Sequence, residues 1–297
     1  LSAGEIASDP SETLFPLDLT STDDGLLLVS GTLWAGGEFK GKILVYDYDF
    51  AEVGSIDVTP EFSGPEDYLS GVAHAQIGDD QFIYVFNAST SQIGVLDSVG
   101  ALVETIEAQL PNIEEDPEAD PDYGFVVGMT HDPDGAEGAG SLWVVETARD
   151  WIYEIDLQGN VLREFPHPYL AVEPAPEGSP YGVQSSGIAI LPWEADGRLA
   201  IGGGGLRESG QPRIFALDKL TGQPIPGTEI PTDGISQYGS TYAFPFEAIV
   251  KDGEPRFVAL TGSGQSGWLL EVRADPPAAA APTFLVTQQE NYVDEVS

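Results

Sequence analysis

Two of the three histidines in this chain, His74 and His131, stand 57 residues apart inside similar apolar words, SGVAHA and VGMTHD. Imidazole is a common ligand for zinc and other transition metals, and two imidazoles with one carboxylate can form a facial metal set. Asp18, in the word PLDLT, falls at a matching place, and Glu247 lies in a further such word, FEAIV. Asp18, His74, His131 and Glu247 are therefore the candidate ligands for one divalent cation. Zinc would suit the imidazoles, and calcium an all-oxygen set. The competing expectation is that both rings only hydrogen-bond backbone carbonyls. The third histidine, His167, sits in FPHPYL and is read as a surface-loop residue.

A second recurrence is aromatic. Tyr68, Tyr123, Tyr181 and Tyr238 follow one another at steps of 55, 58 and 57 residues. With Asp67 and Asp122 beside them, they are the candidate ligand-binding residues, a stacking platform on one rim. The competing role is structural, since a tyrosine hydroxyl usually finds a hydrogen-bond partner when buried.

Both recurrences need elements that repeat at the same interval. Short apolar strands recur as LLLVSG, FIYVFN, LWVVET, LAIGGG and FVALTG, with Leu27, Ile83, Leu142, Leu199 and Phe257 as equivalent anchors. Behind each comes a second strand: ILVYD, IGVLD, IYEID, IFALD and LLEVR, four of them ending in aspartate. Gly-containing turns then lead to a third strand in SVGALVETI, LQGNVLREF and KLTGQPIPG. Upstream of each anchor lies an inner strand, in PLDLT, SGVAHA, VGMTHD, SGIAIL and FEAIV. Counting back about nine residues from each anchor puts Asp18, His74, Ile190 and Ile249 in one slot, with His131 joining them across a longer loop. Four-stranded units repeated around a ring form a β-propeller. The expected fold is all-β, one propeller domain over residues 1–297 with five four-stranded blades of about 58 residues, and six blades as the alternative.

The third unit, GMTHDPDGAEGAGSLWVVETARDWIYEIDLQGNVLREF, resembles an NHL-type blade, and is similar to blades of gluconolactonases and related sugar-lactone hydrolases. The resemblance implies a propeller whose functional groups converge on a central channel. It also implies a metal-dependent hydrolase or lyase, in which His74 and His131 match the inner-strand histidines of zinc-binding NHL-type lyases.

Charge narrows the partners. With 49 acidic and 11 basic side chains the net charge is −38, which repels nucleic acid and anionic membranes. No stretch is long and apolar enough for a transmembrane helix. The absence of cysteine rules out disulfides, thiolate metal sites and a cysteine nucleophile. The glycine run GGGGL at 202–206 lacks the Lys-Ser pair and helix of a phosphate loop and is read as a close-packed loop, so no nucleotide or organic cofactor is expected. The chain starts at Leu1 without a signal-peptide pattern and is read as a mature secreted or periplasmic monomer adapted to salt.

Two functions stay open. One is a secreted binding module that takes a small molecule, glycan or protein at its tyrosine-lined rim. The other is the metal-dependent hydrolase or lyase.

Overall fold

The computed structural model describes residues 3–6, 12–35, 38–58, 62, 69–110, 126–146, 151–168, 184–194, 197–204, 213–228, 230–231, 245–263 and 266–273. Twenty strands form five antiparallel four-stranded sheets. After β1 (Ala3–Ile6), the first sheet runs in order through β2 (Glu12–Ser21), β3 (Leu26–Ala35), β4 (Glu38–Asp47) and β5 (Glu52–Asp57). The second contains β6 (Leu69–Ile77), β7 (Asp80–Asn87), β8 (Gln92–Asp97) and β9 (Leu102–Glu107). The third contains β10 (Val126–Asp132), β11 (Ser141–Glu146), β12 (Trp151–Asp156) and β13 (Val161–Pro166). The fourth contains β14 (Gln184–Ile190), β15 (Leu199–Gly204), β16 (Arg213–Leu217) and β17 (Ile230–Pro231). The fifth joins β18 (Phe246–Lys251), β19 (Glu254–Ser263) and β20 (Ser266–Arg273) to β1, which pairs antiparallel with β20.

The inner strands β2, β6, β10, β14 and β18 each neighbour the next, and β18 neighbours β2. This is an all-β β-propeller. Among the described residues there is no sixth four-stranded sheet.

Burial explains the strand composition. All six residues of β11 are buried, because a middle strand is covered on both faces by neighbouring sheets, and residues 142–145 form a continuous apolar run. The outer strands β9 and β13 are mostly exposed, and carry Glu, Thr and Arg between their apolar residues. Ile43, Ile93, Ile152, Ile214 and Leu269 are all fully buried, each at the same register opposite Ser30, Phe86, Val145, Gly202 and Leu260. Burying one such side chain stabilises the fold by about 1.5–3 kcal/mol. Apolar clusters fill the gaps between successive sheets, as where Leu27 and Val29 of β3 meet Val258 and Leu260 of β19. Between the fourth and fifth sheets, Trp193 meets Phe257 edge-on at 5.3 Å.

The recurring terminal aspartates have a local role. Asp47, Asp97, Asp156 and Asp218 each accept two backbone N–H bonds from the turn that follows, as with Val99 and Ala101 on Asp97 at 3.0 and 2.8 Å. Such side-chain turns pre-form the next hairpin.

Three expectations need correction. The outer strand of the fourth sheet is Ile230–Pro231, beyond KLTGQPIPG, which makes only a bridge from Pro224 to Leu217. Gly202, Gly203 and Gly204 belong to strand β15 rather than to a loop. His167 is fully buried, not on the surface.

Candidate functional site

An inner strand is an edge strand of its own sheet, so one row of its N–H and C=O groups faces the channel unpaired. Asp18 answers part of that need. Its Oδ2 accepts the amide N–H of Val72 in β6 at 2.8 Å and of Met129 in β10 at 3.0 Å. One carboxyl thereby ties three inner strands together. Burial pushes Asp18 well above the usual carboxylate range, against the pull of these amide donors. The register shifts beside these contacts, between Pro16 and Asp18, Leu69 and Val72, and Val126 and Gly128. Irregularities of this kind re-aim backbone and side chains near functional sites.

Register also corrects the metal set. His74 lies opposite Ile83, His131 opposite Leu142 and Ile190 opposite Leu199. The residue opposite Leu27 is Ser21, and the residue opposite Phe257 is Ala248. The level ring is therefore Ser21, His74, His131, Ile190 and Ala248. Ser21 and its partner Leu27 are six residues apart, whereas His74 and its partner Ile83 are nine apart, so a fixed count of nine overshoots to Asp18. Asp18 stands three residues away from the histidine level, spent on backbone amides. Glu247 lies opposite Val258, level with Thr20 opposite Leu28, one residue before the ring. Among the described residues no three His, Asp or Glu side chains are grouped to hold a metal ion. The ring offers two imidazoles and no carboxylate, which does not fit the expected zinc or calcium set.

The ring instead borders a cavity of about 500 Å³ at the channel mouth. Thr20 and Ser21 of β2, His74 and Gln76 of β6, Thr130 and His131 of β10, Ile190 of β14 and Glu247 to Val250 of β18 all line it. Every inner strand contributes. Tyr48 lines it too, while Asp23, Asp134 and Glu194 bring carboxylates to it.

Protonation inside this cavity is set mainly by burial. The Glu247 carboxyl is pushed up to about 8 by desolvation, against hydrogen bonds from the Ala248 amide at 2.8 Å, the Thr20 hydroxyl and the Ser21 amide. It is therefore mostly protonated at neutral pH. Burial holds His74 and His131 below the usual histidine range, outweighing the nearby acidic side chains, and each ring is mostly neutral. The Nε2 atoms of both rings are buried without a hydrogen-bond partner. The His131 ring stacks parallel to Tyr84 of the second sheet at 6.4 Å, and its Nε2 faces Gly140. Gly140 has φ +88°, and a Cβ there would come within 3.0 Å of that Nε2.

His167 lies elsewhere, edge-on to Phe215 at 6.3 Å. Desolvation lowers it to about 4, against a hydrogen bond with the Gly202 backbone. Tyr68, Tyr123, Tyr181, Tyr238, Asp67 and Asp122, the candidate rim residues, lie outside the described residues. Sequence reasoning passed over Thr20, Tyr48, Gln76 and Thr130. Aligning the inner words by their partners across each hairpin would have brought Thr20 and Thr130 level with Glu247.

No known family model matches the sequence, and no curated protein sequence matches it. Solved structures do. An α-L-arabinofuranosidase from Lactobacillus brevis aligns at 12% identity over 97% of this chain and 98% of its own, with a TM-score of 0.55. A family 43 arabinoxylan arabinofuranohydrolase from Bacillus subtilis, solved with cellotetraose, aligns at 12% identity over 95% of this chain and 68% of its own, TM-score 0.55. The likeness is one of fold. The similar structures also include the periplasmic gluconolactonase of Pseudomonas aeruginosa, at 15% identity over 91% of this chain and 84% of its own, TM-score 0.47.

Proposed function

We propose that this protein is a five-bladed ligand-binding propeller that takes a neutral, hydroxyl-rich ligand, a carbohydrate, at the channel mouth. The observation that carries the reading is a cavity to which all five inner strands contribute. Its volume of about 500 Å³ suits a small ligand. Its wall includes hydroxyls, an amide, neutral imidazoles and a protonated carboxyl, in a chain of net charge −38. Sugar hydroxyls both donate and accept, which matches such a mixed wall. The acidic residues around it turn away anions. Two fold neighbours are named for action on arabinose-containing glycans, which agrees with this class.

Titration calorimetry with L-arabinose, D-xylose and their uronic acid counterparts tests the reading. The expected result is binding of a neutral sugar, weakened about tenfold or more by His74→Ala. Absence of neutral-sugar binding at millimolar concentration, or equal binding of the acids, overturns it.

A second reading, hydrolysis, is favoured by one observation, the protonated Glu247 carboxyl in the cavity wall. A carboxyl kept protonated near neutrality can act as a general acid toward a leaving oxygen. Turnover of aryl arabinofuranosides that disappears in Glu247→Gln would support it, and no turnover by the unaltered protein would dismiss it.

A further inference from the structure

Beside the channel mouth lies a second cavity, of about 690 Å³, walled by residues of the third and fourth sheets and their connections. The two cavities share a wall. Asp134 lines both, and the chain passes from His131 in the first to Asp132 and Gly135 in the second. On the other side, Gly197 faces the first cavity and Arg198 the second.

The second cavity gathers three of the chain's 11 basic residues, Arg163, Arg198 and Lys219. Two of them are fixed on buried carboxylates. The Lys219 Nζ lies 2.7 Å from Asp132 Oδ2, which also accepts the Trp143 indole N–H at 3.2 Å. The Arg163 guanidinium lies 3.0 Å from Glu154 Oε2, while the Ser141 hydroxyl donates to Glu154 Oε1 at 2.9 Å. Paired charges present donors and acceptors side by side with little net charge between them. Vicinal hydroxyls, which need both, suit that wall better than a single anion or cation does. Leu220, 72% exposed, adds an apolar surface for the C–H face of a sugar ring.

We infer that the second cavity is a further subsite for the ligand of the channel mouth, so that the ligand is an oligosaccharide running from the channel into the space between the third and fourth sheets. This rests on the carbohydrate reading above. Each cavity alone is large enough for a small molecule, and the shared Asp134 places the two side by side.

The test is calorimetry with two series, D-xylose to xylotetraose and D-glucose to cellotetraose. In at least one, affinity should rise about tenfold or more from the monosaccharide to the tetrasaccharide. Leu220→Gln and Leu220→Asp should remove that gain and leave monosaccharide binding unchanged. Leu220 is 72% exposed, so both variants should fold, as circular dichroism would verify. Equal affinity along both series, or variants that weaken monosaccharide and tetrasaccharide alike, overturns the second subsite alone. Failure of every saccharide to bind overturns it together with the channel-mouth reading.

Discussion

Asp18 Oδ2 lies 2.8 Å from the amide nitrogen of Val72, and the two residues belong to different sheets. The same oxygen holds the Met129 amide of a third sheet, so one side chain replaces the ladder partners that edge strands around a channel lack. Asp18→Ala would leave two buried N–H groups unsatisfied. We expect a loss of about 2–6 kcal/mol in denaturant unfolding, at ~1–3 kcal/mol for each orphaned donor. Asp18→Asn keeps a carbonyl oxygen and sheds the cost of burying a charge, so it should lose under about 1 kcal/mol. Equal losses in the two variants would count against the acceptor role.

Stability should fall as pH rises from about 6.5 to about 8. The folded protein holds the Glu247 proton up to about 8, whereas the unfolded chain releases it near 4.5. Folding therefore retains a proton across that window, and the stability it contributes is lost as pH climbs through the folded value, with a slope approaching ~1.4 kcal/mol per pH unit. His167 works in the opposite direction, because its folded value of about 4 lies below the unfolded 6.5. Its contribution grows as pH rises from about 4 to 6.5, where it opposes Glu247, and is complete above that. Glu247→Gln should flatten the upper window in pH-resolved unfolding, and a slope that survives would assign it to other groups.

Lys219 joins the fourth sheet to a buried carboxylate of the third. Lys219→Met strands Asp132, and the cost should be about 3–5 kcal/mol in thermal or denaturant unfolding. The double change Lys219→Met with Asp132→Asn should recover part of that loss. No recovery would show that the lysine stem, rather than the ion pair, matters.

Salt should act on the rest of the charge. Repulsion within a chain of net charge −38 is screened as NaCl rises from ~10 mM to ~1 M, so the melting temperature should increase. Lys219 is only 18% exposed and Asp132 only 3%, so the destabilisation by Lys219→Met should change little over that range. A falling melting temperature would show that surface ion pairs outweigh the repulsion.

Gly140→Ala forces a Cβ onto a residue at φ +88° and within 3.0 Å of His131 Nε2. The expected cost is about 1–2 kcal/mol, with the His131 ring resonances shifted in NMR spectra. An unshifted ring would mean that the close approach relaxes elsewhere.

Much of the architecture was legible in the sequence because a middle strand buried on both faces leaves a long apolar signature. Ile43, Ile93, Ile152, Ile214 and Leu269 could be aligned by eye, and each is fully buried at one register. The site was less legible because facing residues depend on turn length as well as strand words. Ser21, not Asp18, lies opposite Leu27, a shift that a fixed count conceals. His167 was misread since FPHPYL, with its two prolines, looks like a loop, whereas the ring packs on Phe215. Strand β1 has only four residues, Ala3–Ile6, too few for a period to register.

That short strand also sets the order in which the molecule can be completed. Leu269 and Leu270 of β20 find their outer partners in Gly4 and Ala3, more than 260 residues earlier in the chain. On a ribosome, the first sheets can form as they emerge, but the fifth must wait for both ends of this span. Bringing them together carries a loop-closure entropy that grows only slowly with length, so the demand is on timing more than on final stability. A nascent protein lacking its last strands would be an open arc with an unpaired edge and an uncovered apolar face at each end. Such a species is exposed to strand-to-strand association until Ala3–Ile6 locks onto β20.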